Sequence, residues 1–193
     1  MSDGGDTPTR AGLMGSATLF YAAMAAIGVA LMDAQDLPLV AAVFGDAQTT
    51  WRDAALGAGA GLVVVGLTWL LRNVSSIAKL NAELRPLLGP LDTPTIAVLA
   101  VTSAIGEELF FRGALQPLMG FWPTVLVFGL MHGGTRRRLA LWAAFATVAG
   151  LLLGALTVYT GNLLAAFLAH LTINFWNLHA LLAPPPPPPG SPP

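Results

Sequence analysis

The chain has no cysteine and a single lysine, Lys79. It has three glutamates and three histidines in 193 residues, and only 10% of its residues are charged. Without cysteine there is no disulfide, no thiolate nucleophile and no Cys-ligated zinc. A lone lysine in a polar segment leaves no partner for a Ser–Lys dyad, and no Gly-x-Ser-x-Gly surrounds Ser103. A net charge of −1 supplies no basic field for nucleic acid. Soluble domains carry roughly 25% charged residues. This chain is 55% hydrophobic instead, the composition of a membrane protein. Arginine outnumbers lysine eight to one, and Ala, Gly and Pro are abundant, a bias that fits a GC-rich bacterial genome.

What is present is a series of apolar runs. Residues 12–32, 54–71, 95–119, 121–132, 139–159 and 162–183 read as helices, five of them long enough to span and 121–132 shorter. The expected fold is therefore all-α, a polytopic membrane helix bundle of about six transmembrane helices. Arg10, Arg72, Lys79, Arg85 and Arg136–Arg138 then fall on one side, and the segment 33–53, with four Asp and one Arg, on the other. The positive-inside rule makes the basic side cytoplasmic, giving an N-in, C-in protein of the bacterial inner membrane. Gly57, Gly59 and Gly61 would let a neighbouring helix approach closely. Residues 73–94 and 37–50 read as interfacial segments. Trp51, Trp69 and Trp122 sit near span ends, as aromatic belts do. Residues 1–183 form one transmembrane domain, with a core over 95–183. Residues 184–193 are a Pro-rich tail with the composition of polyproline II.

Ionisable groups inside an apolar span are costly and mark functional sites by default. Two of the three glutamates and an arginine lie in Glu107-Glu108-Leu109-Phe110-Phe111-Arg112. Glu108 and Arg112 are four apart, share a helix face and can form an ion pair. Glu107 points about 100° away, which leaves it free to act as a general base or acid. His132 ends the fourth apolar run, and His170 and Asn174 share a face of the sixth. At ~1.5 Å per residue, Glu107, His132 and His170 fall ~11–16 Å from the outer face, so the three can meet. Gly133 and Gly134 after His132 suggest non-helical backbone around a hydrated pocket that opens to the cytoplasm and is rimmed by Arg136, Arg137 and Arg138. No Asp lies within an expected span, which excludes an intramembrane aspartyl pair. His179 reads as an interface residue, and Asn177 as a neighbour that helps Asn174.

The series Glu-Glu-x-x-x-Arg, Phe-x-x-x-His and His-x-x-x-Asn, each on its own span, resembles the CPBP family. These are the CAAX-protease and bacteriocin-processing intramembrane endopeptidases, also called the ABI family. The resemblance covers about half the chain, residues 95–183. It implies that Glu107 and His132 activate a water, that His170 and Asn174 stabilise the oxyanion, and that Glu108 and Arg112 support the site. It also implies an enzyme, a peptide hydrolase of glutamic type with no cofactor. The rival account is zinc on Glu107, His132 and His170, a sufficient ligand set with an open position for water. The expected partners are membrane lipid and a protein substrate with a C-terminal membrane-associated tail, of the CAAX type or of the sorting type processed by myxosortase-like members. The alternative from another class is a non-enzymatic membrane protein, either a bacteriocin-immunity factor or a proton-linked carrier.

Overall fold

The computed structural model describes residues 10–89, 91–133 and 139–182. All regular structure among them is helical: α1 (Arg10–Asp33), α2 (Leu39–Phe44), α3 (Thr50–Leu71), α4 (Ser75–Leu88), α5 (Thr93–Glu107), α6 (Gln116–Met119), α7 (Phe121–Gly133), α8 (Ala140–Thr160) and α9 (Leu164–Leu182). Between α5 and α6 the chain continues as a π-helix, Glu108–Leu115, so Thr93–Met119 is one unbroken span of 27 residues.

Four helices are long and apolar enough to cross a membrane: Met14–Asp33, Thr50–Leu71, Thr93–Met119 and Ala140–Thr160. The protein is an all-α, integral membrane bundle. Of the other expected spans, α7 has 13 residues. The 19 residues of α9 are interrupted by His170, Asn174, Asn177 and His179. The interfacial expectation for 73–94 meets the short helix α4, and that for 37–50 meets α2. The Pro-rich tail lies outside the described residues.

Local chemistry sets the helix ends. Asp92 caps α5, its side chain accepting from Thr95 N at 3.0 Å, and Pro94 stands in the first turn, where its missing N–H costs nothing. Gly120 at φ 90° separates α6 from α7, and Gly161 at φ 70° ends α8; both conformations favour glycine.

Two contacts fix α3 against α9. The first is close backbone approach. A Cβ on Gly57 would collide with the Ala165 backbone, and one on Gly61 would lie 2.7 Å from Thr172 Cβ. Gly59 faces open space, so the expectation that all three glycines pack holds for two. Gly57→Leu is therefore expected to destabilise the bundle by about 1–3 kcal/mol through overpacking. Gly59→Leu should leave the midpoint of thermal unfolding in detergent nearly unchanged.

The second contact corrects the sequence reading. The span does not begin after Asp53: the residue lies in the first turn of α3 and is fully buried. Its Oδ2 accepts from Asn162 Nδ2 at 2.8 Å and from Thr49 Oγ1 at 3.1 Å, while Arg52 donates to Oδ1 at 2.8 Å and 3.0 Å. Asn162 Oδ1 in turn accepts from Leu164 N at 3.0 Å, capping α9. Asp53 is thus a buried tie between two helix starts. It stands without a second aspartate, so the exclusion of an aspartyl pair rests on the absence of a partner.

The α5–π segment lies at the centre, in contact with α1, α7, α8 and α9. Its buried side, including Ala100, Ala104, Phe111 and Ala114, holds the charged residues in place.

Candidate active site

Glu107, Glu108 and Arg112 are all buried, at 6%, 1% and 2% exposure. Burial at this depth requires pairing. Glu108 Oε1 accepts from Arg112 Nη1 at 3.1 Å, as the i, i+4 spacing predicts. Arg112 Nη2 donates to Gly150 O on α8 at 3.3 Å, and its guanidinium stands 4.2 Å from the Phe128 ring centroid. A Cβ on Gly150 would press on Phe128 at 3.1 Å, so a small residue there keeps room for this stack.

The ion pair has a third member that sequence reasoning missed. His170 Nδ1 lies 2.7 Å from Glu108 Oε1. A carboxylate neutralised by arginine accepts here, so Nδ1 carries the hydrogen. Glu108 therefore joins Arg112 to His170 across 62 residues of chain, a link no local spacing signals. On α7, His132 Nδ1 lies 2.8 Å from Phe128 O. A carbonyl only accepts, so this Nδ1 is protonated too. Its ring lies 4.4 Å from that of Phe128 and 6.0 Å from that of Trp142 on α8, a second neighbour not foreseen.

With both Nδ1 atoms committed, both Nε2 atoms face Glu107. Glu107 Oε2 is 3.6 Å from His132 Nε2 and 3.8 Å from His170 Nε2. These distances are too long for direct hydrogen bonds. Oε2 is buried and has no hydrogen-bond partner among the described residues. Glu107, His132 and His170, expected to meet from three helices, do so.

Asn174 lies one turn beyond His170 on α9. Its Nδ2 donates to Ser103 Oγ at 2.9 Å, and Ser103 donates to Ala100 O at 3.2 Å. Ser103, one turn before Glu107, thus positions the amide and leaves its second N–H for another acceptor. Asn177 does not assist: its Oδ1 accepts from Thr68 Oγ1 of α3 at 2.9 Å, away from the cluster. His179 packs on Phe175 at 4.9 Å between ring centroids, as an interface residue would.

Two other expectations need adjusting. Gly133 is not in irregular backbone: it ends α7 as a buried helical residue, against Ala143 and the Leu139 carbonyl. Gly134 and the Arg136–Arg138 rim lie outside the described residues. As for a metal, the donor types Glu107, His132 and His170 suit zinc. Among the described residues, however, no group of three or more such side chains is arranged to hold an ion. No step below is routed through one.

Residues 89–176 match the family model described as type II CAAX prenyl endopeptidase Rce1-like. That segment contains Glu107, Glu108, Arg112, His132, His170 and Asn174, so the match supports the CPBP resemblance carried by those residues. The chain is also 37% identical over 83 residues to the uncharacterized protein YpbD of Bacillus subtilis (strain 168), an alignment covering 42% of each protein. No solved structure matches.

Proposed function

We propose that the protein is an intramembrane endopeptidase that hydrolyses a peptide bond near a C-terminal, membrane-associated tail, using a water activated by Glu107 and His132. One observation carries this reading: a buried carboxylate oxygen without a partner, Glu107 Oε2, faced by two imidazole nitrogens at 3.6 Å and 3.8 Å. Three acceptors around one space suit a molecule that donates hydrogen bonds, and water is the reactant hydrolysis needs.

In this mechanism the water donates to Glu107 Oε2 and is oriented by His132 Nε2. Glu107 takes a proton as the water oxygen bonds to the scissile carbonyl carbon. The oxyanion accepts from the remaining Asn174 N–H and from His170 Nε2–H. Because His170 Nδ1 already donates to Glu108, the second donor requires the imidazolium form. Glu108 supplies the adjacent negative charge and Arg112 balances it. Counted as ionised, Glu107, Glu108, Arg112 and His170 then sum to zero. The intermediate collapses as the C–N bond breaks, and Glu107 returns the proton to the leaving amine. Water reaches the site from the cytoplasmic side in the N-in, C-in arrangement.

Ser103→Ala removes the anchor of Asn174 and one hydrogen bond. The expected loss in kcat is about fivefold, with KM little changed. Purified protein in liposomes tests the activity itself. Two synthetic probes are offered: a prenylated CAAX tail peptide and an unlipidated single-span tail peptide. Cleavage of either supports the reading, and the cleaved probe identifies the substrate type. Neither peptide being cleaved counts against it. Loss of activity with chelator, restored by zinc, would replace the metal-free mechanism with a metal-assisted one.

A further inference from the structure

A second feature lies on the far side of the ion pair from Glu107, toward the Met119 end of the span. A hollow of about 340 Å³ is lined by Arg112, Gln116, Phe121, Thr157 and Val158, among others. Its volume is in the range of ligand sites. Arg112 and Gln116, four apart on the π segment and α6, each bring to it a buried polar atom without a hydrogen-bond partner among the described residues: Arg112 Nε and Gln116 Oε1. The rest of each group is committed. Arg112 uses Nη1 on Glu108 and Nη2 on Gly150 O. Gln116 Nε2 donates to Gly154 O at 3.3 Å, which fixes the amide orientation and leaves Oε1 as the free acceptor.

The hollow thus offers one donor and one acceptor, both largely desolvated. Unpaired buried groups of this kind are costly and call for an occupant. A second anion is a poor complement, because Gln116 Oε1 would oppose it and Arg112 is already neutralised. A peptide group is a good one: its C=O accepts from Arg112 Nε–H and its N–H donates to Gln116 Oε1. A substrate must be unwound to expose its scissile bond, and unwound main chain at bilayer depth has N–H and C=O groups that need partners. Along the helix, Arg112 and Gln116 stand about 7 Å and 13 Å beyond Glu107. At about 3.3 Å per extended residue this is two to four residues of substrate.

We propose that this hollow is a main-chain subsite that receives one unwound peptide group two to four residues from the scissile bond. The proposal rests on the endopeptidase reading and deepens it. The test uses whichever of the two probe peptides is cleaved, remade as a series in which one amide at a time, on each side of the scissile bond, is replaced by an ester. The ester removes the N–H. With wild-type protein in liposomes, one position two to four residues away should lose about tenfold in kcat/KM. With Gln116→Leu that position should show no further loss, because the acceptor is gone. Should Gln116→Leu be inactive on every peptide, Val158→Trp takes its place. Val158 is exposed at the rim, and a larger side chain there would intrude on the hollow. The same loss of the position effect is expected. A wild-type series with no sensitive position in that range, or a sensitive position that persists in the variant, overturns the subsite while leaving the endopeptidase reading intact. An all-amide probe left uncleaved overturns both.

Discussion

Replacing Glu107 by glutamine is expected to reduce kcat by about 10²–10⁴-fold, the range for loss of a general base. Glutamine keeps the shape of the side chain, and an amide in this buried position carries no charge to compensate. Its Nε2–H can donate to His132 or His170 Nε2, whose lone pairs both face the carboxylate oxygen. The midpoint of thermal unfolding should therefore be unchanged or slightly raised. That pairing of a large kinetic loss with intact stability distinguishes a base from a residue that merely fills space. Equal losses of activity and stability would indicate packing.

The second large effect concerns stability. Arg112→Leu leaves Glu108 as a buried carboxylate with only His170 to compensate, and an expected cost of about 3–5 kcal/mol follows from stranding one partner. The double variant Glu108→Leu/Arg112→Leu removes both charges and should recover most of that loss. It should not recover activity, because His170 Nδ1 then has no acceptor and its ring loses its orientation. Unfolding curves in detergent and cleavage rates on the same four proteins separate the two roles. A double variant as active as wild type would reduce the triad of Arg112, Glu108 and His170 to a structural filler.

The helices were legible because their cause, long apolar runs, is a property of sequence alone. The division of the Glu-Glu-x-x-x-Arg segment was legible for a similar reason, since i, i+4 geometry acts within one helix. The Glu108–His170 bond was not, because it joins positions 62 residues apart and depends on how α9 packs beside α5. The π segment at Glu108–Leu115 carries no composition that sets it apart from an α-helix. Asp53 was placed outside its helix on the ground that a charge ends a span. In the fold Asn162, Thr49 and Arg52 satisfy that carboxylate, so the helix begins three residues earlier. Gly133 was read as a breaker. The small residue Ala143 opposite it lets it remain helical and buried. In each case the misread feature was set by a partner distant in the chain.

The central claim is that Glu107, His132 and His170 act together on a water that cleaves a membrane-associated substrate. The most direct test follows one tagged candidate protein with a C-terminal membrane tail in cells. Its size is compared with wild-type protein and with Glu107→Ala, His132→Ala and His170→Ala, all at matched membrane levels. The account predicts a shortened product with wild type and full-length substrate with each variant. Processing that continues unchanged in all three variants would contradict it, and would favour a non-enzymatic membrane protein.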